Sequence, residues 1–547
     1  MPTSSRPILL SFLLAALAVT TTSSQGPRFY ADDPIGREPE SRDASGAGPS
    51  NITLFYEYAF NLFATARQKP SGRRAQNVNT IDEVPDSSWL TNRVGTTPMT
   101  PEQLVRGAIT GPPPDSASWT ILREKSAGTN PGFTARDARG ETWFLQFDAP
   151  PSPGASSAAV AIANKLFWAL GYNQIEIFIT TFDPARAQID PNATVVRASG
   201  ARVPYGRNDM DAILERAARS ADGTYRATAG RLIPGKVLGP FRYGGTRPDD
   251  PNDTVPHEHR RELRALRVFG AWTNLVDLKA GNTLDALVVE NGRSIVKHYL
   301  QDVGSTFGTA NNEHEWDQGW EYFYEAGPTK KRLLSFGFAL SPWQTMPYTH
   351  YTEVGVFEGD RFDPVTWRPQ TPTAPYIEMR ADDAFWAARR VAAFSDEMIR
   401  AAVHVGQFSD PAAERYLASV LIKRRDKIAR AYLPAINPII DPRLDANGTL
   451  TFGNAAVDHR VAEAPTAYRA TWLRFDNATG VSTLIGETTG PTAEMKAPDG
   501  LPTATGSFVQ VDVTADSTAY AAWREPVHIH FRRTNTGWQL VGLERLK

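Results

Sequence analysis

The dipeptide Asn291-Gly292 dictates the local fold of the chain around it, because it stands between two apolar runs, residues 283–289 and 294–301. Both of its residues tolerate the positive φ angles that a two-residue hairpin turn requires. The sequence therefore predicts two antiparallel strands joined by a tight turn. Since antiparallel arms fold back symmetrically about the turn, position 282 is expected almost opposite positions 301 and 302.

Polar side chains stand at the open end of this predicted hairpin. Asn282 ends one arm, Asp302 ends the other, and Asp277 precedes the first arm after a predicted helix over 256–276. Amide and carboxylate oxygens are hard ligands that suit Mg²⁺, which commonly binds nucleotide phosphates. We therefore predict a metal site at Asn282 and Asp302, with Asp277 placed to accept or orient a hydroxyl proton. The simpler alternative is helix capping, turn chemistry and a structural carboxylate.

A second block of predicted elements precedes the hairpin. It consists of strands over 119–125, 132–138 and 142–148, an alanine-rich helix over 155–170, and a further strand over 175–181. Residues 190–255 are expected to form an insertion of turns and short elements. The order strand, turn, strand, helix, strand is that of a kinase-type small lobe.

The motif Asp277-x4-Asn282 followed by Leu300-Gln-Asp-Val-Gly304 resembles the catalytic loop and metal-binding motif of protein-kinase-like enzymes. The resemblance covers about residues 119–435, and the long hairpin is most similar to the HipA-type and phosphoinositide-kinase-type branches. It implies that Asp277 is the catalytic base, that Asn282 and Asp302 are metal ligands for Mg²⁺ or Mn²⁺, and that ATP is the nucleotide. Stretches around 77–93, 257–282 and 300–308 also resemble a group of uncharacterised exported bacterial proteins, which implies no activity.

The predicted phosphate-binding residues depart from the kinase pattern. A working kinase pairs a strand lysine with a helix glutamate. Here Gln146 stands at the lysine position, and no acidic residue occurs between Asp148 and Glu176. Lys125, at the end of the first strand, or Lys165, on the helix, could reach the phosphates instead.

The loop over 126–132 has only two glycines, Gly128 and Gly132, which makes a weak phosphate cradle. The predicted nucleotide site therefore consists of Lys125, Gly128, Gly132, Gln146 and Lys165. Two functions stay open on these residues. One is an atypical phosphotransferase, and the other is a catalytically inactive pseudokinase that acts as a binding or scaffolding protein.

The N-terminus has the layout of a signal peptide. Arg6 precedes an apolar run at 8–19, and the small residues 20–24 follow. A hydrocarbon core needs about 20 apolar residues. We therefore expect residues 1–24 to be cleaved and the protein to be periplasmic or extracellular, with no membrane span afterwards. The chain has no cysteine, which excludes disulfides, thiolate catalysis and cysteine-based zinc sites.

At 547 residues the chain exceeds what one hydrophobic core supports. We predict an α+β, two-lobed protein-kinase-like fold. Its predicted parts are an N-terminal extension that wraps the core (25–118), a small lobe (119–185), a large lobe (186–435) and a C-terminal all-β sandwich-like domain (443–547). Two or three amphipathic helices near 382–405 and 411–433 close the large lobe.

The C-terminal domain is predicted from residues that alternate in polarity, as at Tyr468, Ala470 and Trp472. It raises a third possible function, a carbohydrate- or cell-wall-binding protein whose partner is a glycan. A partner protein is also possible. The formal charge of −2 gives no sign of a nucleic-acid partner.

Histidine pairs and an aromatic cluster have simpler explanations than ligand binding. His257-Glu-His259 lacks the spacing of a zincin helix and is expected to cap or pair with the basic helix start at Arg260. His528 and His530 share one face of a predicted strand, which we expect to be exposed. The aromatic residues of 316–324 could bind sugar rings or a peptide, although buried packing is the favoured interpretation.

Overall fold

The computed structural model describes residues 26–125, 128, 130–197, 199–309 and 319–546. They form an α+β protein with several antiparallel sheets, which confirms the predicted fold class. The predicted signal peptide lies outside the described residues, as do parts of the 126–132 loop and of the 316–324 cluster. No described helix has both the length and the apolar character that crossing a membrane requires.

The N-terminal extension carries two helices, α1 (Leu54–Phe63) and α2 (Pro101–Arg106). The rest of the segment is irregular and runs across several other parts of the chain. Near its start, Phe29 packs on Phe475 and Phe508, with ring centroids 5.9 and 6.1 Å away. The first described residues therefore lie against the C-terminal part of the protein.

A six-stranded sheet and a long helix follow the extension. In chain order the elements are β1 (Trp119–Glu124), β2 (Gly132–Arg136), β3 (Thr142–Phe147), α3 (Ala155–Ala169), β4 (Ile177–Phe182), β5 (Ala187–Ile189), β6 (Thr194–Val196), β7 (Arg202–Pro204), α4 (Arg207–Leu214) and β8 (Tyr225–Arg231). The strand order in the sheet is β4-β8-β3-β2-β1-β5. The predicted order of strand, turn, strand, helix and strand is confirmed for β1 to β4.

The sequence predicts an insertion of turns and short elements over 190–255, and the elements found there are short. Strand β8, however, lies between β3 and β4 in the six-stranded sheet, so it is part of the sheet and not of an insertion. Its segment Tyr-Arg-Ala-Thr-Ala-Gly-Arg alternates apolar and other residues, but most of the apolar ones are alanines, so the strand signal is weak. It forms a strand because β3 and β4 pair with it from both sides.

The predicted hairpin is confirmed. The next elements are β9 (Lys236–Gly239), α5 (Arg261–Thr273), β10 (Thr283–Glu290) and β11 (Arg293–Leu300). Strands β9, β10 and β11 form a sheet with β10 in the centre. Asn291 and Gly292 make the turn with φ angles of 50° and 77°, and Thr283 pairs with Leu300 at the open end.

The helical block contains α6 (Ala326–Leu334), α7 (Ala374–Glu378), α8 (Ala381–Ala392), α9 (Asp396–His404) and α10 (Pro411–Tyr432). Helices α8, α9 and α10 confirm the helices predicted there. Helix α5 packs into this block through Trp272. Its ring lies 4.8 Å from that of Phe394, and its indole N–H donates to the carbonyl of Leu421 at 3.0 Å.

Strands dominate the C-terminal part, as predicted. Its elements are β12 (Ile439–Leu444), β13 (Thr449–Asn454), α11 (Ala455–Asp458), β14 (Ala467–Phe475), β15 (Ser482–Gly490), β16 (Glu494–Lys496), β17 (Phe508–Asp516), β18 (Val527–Arg533) and β19 (Trp538–Glu544). They form two antiparallel sheets of order β12-β13-β16 and β15-β14-β17-β18-β19. The alternating apolar residues, among them Trp472, Val511 and Ile529, are fully buried.

The exposed face predicted for the two C-terminal histidines is wrong for His530. This side chain is 1% exposed, because Phe29 of the extension covers it at a centroid distance of 5.0 Å. Burial lowers the pKa of His530 to about 3, so the ring is neutral. His528 is half-buried, and its Nδ1 lies 2.7 Å from Oδ1 of Asp512.

Buried ion pairs connect the extension to the helical block. Arg261 of α5 lies 2.9 Å from both Asp82 of the extension and Asp383 of α8. Arg264, one turn later, lies 3.0 Å from the other oxygen of Asp383. Because buried charges are tolerated only when they are paired, these contacts fix the position of the extension on α5.

Candidate functional site

The loop between α5 and β10 carries two of the predicted site residues. Helix α5 ends at Asn274, whose left-handed conformation (φ 57°) turns the chain out of the helix. Asp277 follows, and a short 3₁₀ turn over Ala280–Asn282 leads into β10. The Asn282 amide Nδ2 donates to the Asp277 carbonyl oxygen at 2.8 Å. This hydrogen bond fixes the loop in the conformation that places Asp277 and Asn282 side by side.

The open end of the hairpin brings Asn282 and Asp302 together, as predicted. The carbonyl oxygen of Asn282 accepts hydrogen bonds from the backbone N–H groups of Gln301 and Asp302, both at 3.0 Å. One carboxylate oxygen of Asp302, Oδ1, accepts from the Gly304 N–H at 3.0 Å. The side-chain oxygen of Asn282 accepts no hydrogen bond from the described residues. Each side chain therefore retains an oxygen for a ligand.

Lys279 is a site residue that the sequence prediction missed. Its ammonium Nζ lies 2.6 Å from Oδ2 of Asp277. Lys279 stands inside the Asp277-x4-Asn282 motif, two residues after the predicted base. Its position in the motif could therefore have indicated it as a site residue. A cation at this position would lie beside any group that Asp277 contacts.

Lys125 and Gln146 form a pair across three strands of the six-stranded sheet. The Lys125 N–H donates to the carbonyl of Gly132 at 2.9 Å, and Gly132 pairs in turn with Gln146 on β3. The Lys125 ammonium then donates to the Gln146 side-chain oxygen at 3.0 Å. The lysine cation is thus held beside the Gln146 side chain on β3.

The charge of Asp302 acts on Lys125. Burial lowers the pKa of Lys125, and the negative charge of Asp302 opposes that shift. The loop after Asp302 also packs directly on α3, since a Cβ added at Gly304 would lie 2.6 Å from Cγ2 of Val160. The hairpin end, α3 and the end of β1 therefore lie near one another, and we call the region between them the cleft.

The two predicted glycines have different parts in this cleft. A Cβ on Gly132 would lie 2.1 Å from the carbonyl oxygen of Leu145, so β2 and β3 can approach only with glycine there. Gly128 has a φ of +84°, and a Cβ on it would lie 3.0 Å from the Lys125 ammonium. Residues 126, 127 and 129 lie outside the described chain, so the phosphate cradle predicted for this loop stays a prediction.

Lys165 points away from the other predicted nucleotide-binding residues. Its ammonium donates to the carbonyl of Arg106 at the end of α2, at 3.1 Å. Burial lowers its pKa to about 8, and Glu176 opposes the shift. Positions 160 and 165 are about 140° apart around a helix, so Lys165 faces the extension while Val160 faces the cleft. The geometry does not support the predicted contact of Lys165 with phosphates.

Helix α1 of the extension lies beside the Asp277–Asn282 loop, which the sequence did not predict. A Cβ on Gly281 would lie 3.5 Å from a methyl group of Leu54. Burial raises the pKa of Tyr58, and the Asp277 carboxylate raises it further. The extension therefore lines part of the site.

The predicted histidine and aromatic clusters have structural roles where they are described. His257 lies 2.7 Å from Asp253, and His259 lies 2.7 Å from Arg264. Within the described ranges, no group of three or more His, Cys, Asp or Glu side chains converges to hold a metal ion. Tyr322, from the described end of the aromatic cluster, packs against Tyr376 with centroids 6.3 Å apart.

Comparisons with known proteins supply little beyond this geometry. No protein-family model matches the chain, and no curated protein matches it. Two crystal structures of the Golgi casein kinase match with TM-scores of 0.28 and 10% identity, covering 72% and 73% of this chain and 95% and 96% of their own. One of them has Mn and ADP bound. A likeness of this size establishes neither the family nor the activity of the chain.

Proposed function

We propose that the cleft between the six-stranded sheet and the β10–β11 hairpin binds ATP with Mg²⁺ or Mn²⁺ and transfers the terminal phosphoryl group to a hydroxyl acceptor. The observation that carries this proposal is that the hairpin end brings Asn282 and Asp302 together beside Asp277. Lys125 comes from a distant part of the chain, and the charge of Asp302 acts on its ammonium. A lysine and a pair of oxygen ligands in one region can receive a phosphate and its metal counter-ion.

The residues at the hairpin end fit a divalent cation. Asn282 offers an amide oxygen and Asp302 a carboxylate oxygen, and hard oxygens of this kind suit Mg²⁺ or Mn²⁺. Two protein ligands agree with the way Mg²⁺ is held in phosphoryl-transfer enzymes, where phosphates and waters complete the shell. When bound, the cation would neutralise charge on the phosphate oxygens.

The other residues act on the nucleotide and the acceptor. Lys125, held by Gln146, binds the phosphates. Asp277 orients the acceptor hydroxyl and takes its proton as the acceptor oxygen bonds to the terminal phosphorus and the bond to the leaving oxygen breaks. Lys279, beside Asp277, stabilises negative charge on the transferred group.

Transfer of labelled terminal phosphate from ATP, with Mg²⁺ or Mn²⁺, tests this activity. We expect Asp277→Asn to slow transfer by about 10²- to 10⁴-fold, the usual contribution of a positioned base, while nucleotide binding persists. Asp499→Asn, in an exposed turn, is the matched control and should leave the rate unchanged. An Asp277→Asn protein with the wild-type rate would contradict the assignment of the base.

A pseudokinase is the second candidate, and a specific observation favours it. Gln146 stands at the lysine position, α3 has no acidic residue, and Lys279 already pairs with the Asp277 carboxylate. Nucleotide binding without any transfer in the wild-type protein would identify this case. No feature in the described part of the C-terminal sheets favours the carbohydrate-binding alternative.

The location and the closer relationships belong to this proposal as well. Periplasmic or extracellular location rests on residues 1–24 alone, and a mature N-terminus near residue 25 would test it. Membership of the HipA-type branch or of the exported bacterial group stays a prediction from the motifs around Asp277 and Asp302.

A further inference from the structure

Exposed apolar side chains are concentrated in two short segments. About half of the large apolar residues that are exposed in the described chain belong to α1 or to residues 323–340. We call this set the apolar patch; its members are Leu54, Phe55, Tyr56, Phe60, Phe63, Phe323, Leu333, Leu334, Phe336, Phe338 and Leu340. Soluble proteins seldom expose apolar groups at this density unless the surface binds something.

The two segments meet where residues 323 and 324 contact α1. The rings of Phe63 and Tyr324 lie 5.4 Å apart, and those of Tyr58 and Phe323 lie 6.5 Å apart. Both distances are within the range of direct aromatic contact. Helix α1 therefore packs against the irregular segment that leads into α6.

The end of α6 projects from this surface. Leu333, Leu334, Phe336 and Phe338 are 76%, 69%, 91% and 88% exposed. Phe336 has a φ of 52° and Gly337 of 85°, and positive φ is rare for a bulky aromatic residue. The backbone thus adopts a disfavoured turn that presents apolar side chains to solvent.

The same segment is basic. Residues 326–340 contain Lys330, Lys331 and Arg332 and no Asp or Glu, whereas the whole chain has a formal charge of −2. Arg332 pairs with Glu321, and Lys330 and Lys331 form no ion pair with any described residue. Two lysines that have no ion-pair partner among the described residues therefore stand directly before the exposed apolar tip.

We propose that the apolar patch inserts into the headgroup region of an anionic lipid bilayer, with Lys330 and Lys331 against the lipid phosphates. Basic residues next to exposed Phe and Leu are what peripheral membrane segments use. Insertion of exposed side chains into a fluid bilayer does not require a surface of complementary shape. A second copy of the chain would need a matching surface of about 800 Å² per partner. The proposal is independent of the proposed phosphoryl transfer.

The absence of cysteine allows a site-specific test in the full chain. Leu334→Cys, labelled with an environment-sensitive fluorophore, should shift to the blue with vesicles of phosphatidylcholine and phosphatidylglycerol, but not with phosphatidylcholine alone. Leu484→Cys is the matched control, because Leu484 is 61% exposed on β15 and lies outside the patch. The fluorophore reports only its own surroundings. Membrane attachment through the apolar residues 8–19 would therefore not make position 334 respond differently from position 484.

Charge and insertion can be tested separately. Lys330→Gln with Lys331→Gln should weaken the response by about 30-fold, since each lysine at an anionic surface contributes about fivefold. Phe336→Ser with Phe338→Ser should abolish it without lowering the melting temperature. Equal responses at 334 and 484, or no response, would overturn the proposal. A shift that depends on protein concentration without vesicles would also overturn it, by showing a second copy as the occupant.

Discussion

Asp82 joins three parts of the chain through buried ion pairs. Its oxygens lie 2.7 Å from Arg74, 2.9 Å from Arg261 and 3.3 Å from Arg545. Burial alone would raise the pKa of Asp82, but the guanidinium groups outweigh burial and lower it to about 2. A carboxylate with a lowered pKa stabilises the fold above its unfolded pKa, and this contribution is lost as the pH falls towards 2.

We expect Asp82→Asn to lower the free energy of unfolding by about 3–5 kcal/mol at pH 7, because it leaves buried arginine charge uncompensated. Asparagine tolerates the φ of 62° at this position. The loss of stability would therefore come from the missing charge and not from backbone strain. Denaturant titration measures the free energy of unfolding, and the difference between the variant and wild type should narrow as the pH falls from 4 to 2. A loss under about 1 kcal/mol at pH 7 would contradict this account of Asp82.

Lys165 makes the opposite contribution. Its pKa falls from an ordinary 10.5 to about 8, so the folded protein bears the cost of a buried charge below pH 8. That cost disappears as the pH rises to 10.5. Relative to Lys165→Met, wild-type unfolding free energy should rise by roughly 3 kcal/mol over this interval. Nucleotide binding should be unchanged in Lys165→Met; loss of binding would show that Lys165 reaches the phosphates after all.

At the residue scale, the sequence indicated Asp277, Asn282 and Asp302 together because a turn of defined geometry relates their positions. It could not choose between Lys125 and Lys165. That choice depends on which face of α3 meets the extension, and a helix with buried residues all round gives no such signal.

Gly132 sets the spacing between β2 and β3, and through it the contact of Lys125 with Gln146. We expect Gly132→Ala to destabilise the protein by about 2–4 kcal/mol, since the added methyl group would overlap the Leu145 carbonyl oxygen. Nucleotide binding should weaken as well. Thermal unfolding and nucleotide titration measure the two effects.

Gly230→Ala is the control on the same sheet. Its added Cβ would lie 3.2 Å from the end of the Ile175 side chain, which can move, and at an ordinary contact distance of 3.9 Å from the Phe144 carbonyl oxygen. A change within about 1 kcal/mol is therefore expected. Equal effects of the two substitutions would show that close approach of β2 and β3 is not what Gly132 provides.

At the element scale, predictability followed the strength of local signals. The β10–β11 hairpin was predictable because Asn291-Gly292 suits few other structures. Strand β8 was not, because alanine and glycine have low strand propensity. Only its pairing with β3 and β4, which the sequence does not display, makes Tyr225–Arg231 extended.

For the whole molecule, the extension is the part that sequence patterns describe least. Its contacts join α1 to the Asp277–Asn282 loop, Asp82 to α5 and Phe29 to the C-terminal sheet. These contacts depend on single side chains of an irregular segment and have no period. The alternating strands of the C-terminal sheets, by contrast, were predictable from a period of two.

The central claim is that Lys125, Asn282 and Asp302 form one nucleotide and metal site. Thermal unfolding of the full chain with ATP and Mg²⁺ or Mn²⁺ tests it, since a ligand at 100 times its Kd stabilises the folded state by about 2.7 kcal/mol. We predict a rise in melting temperature for wild type and for the controls Lys165→Met and Asp499→Asn, and no rise for Asp302→Ala or Lys125→Met. No rise in wild type under any nucleotide and metal condition, or an undiminished rise in Asp302→Ala, would contradict the claim.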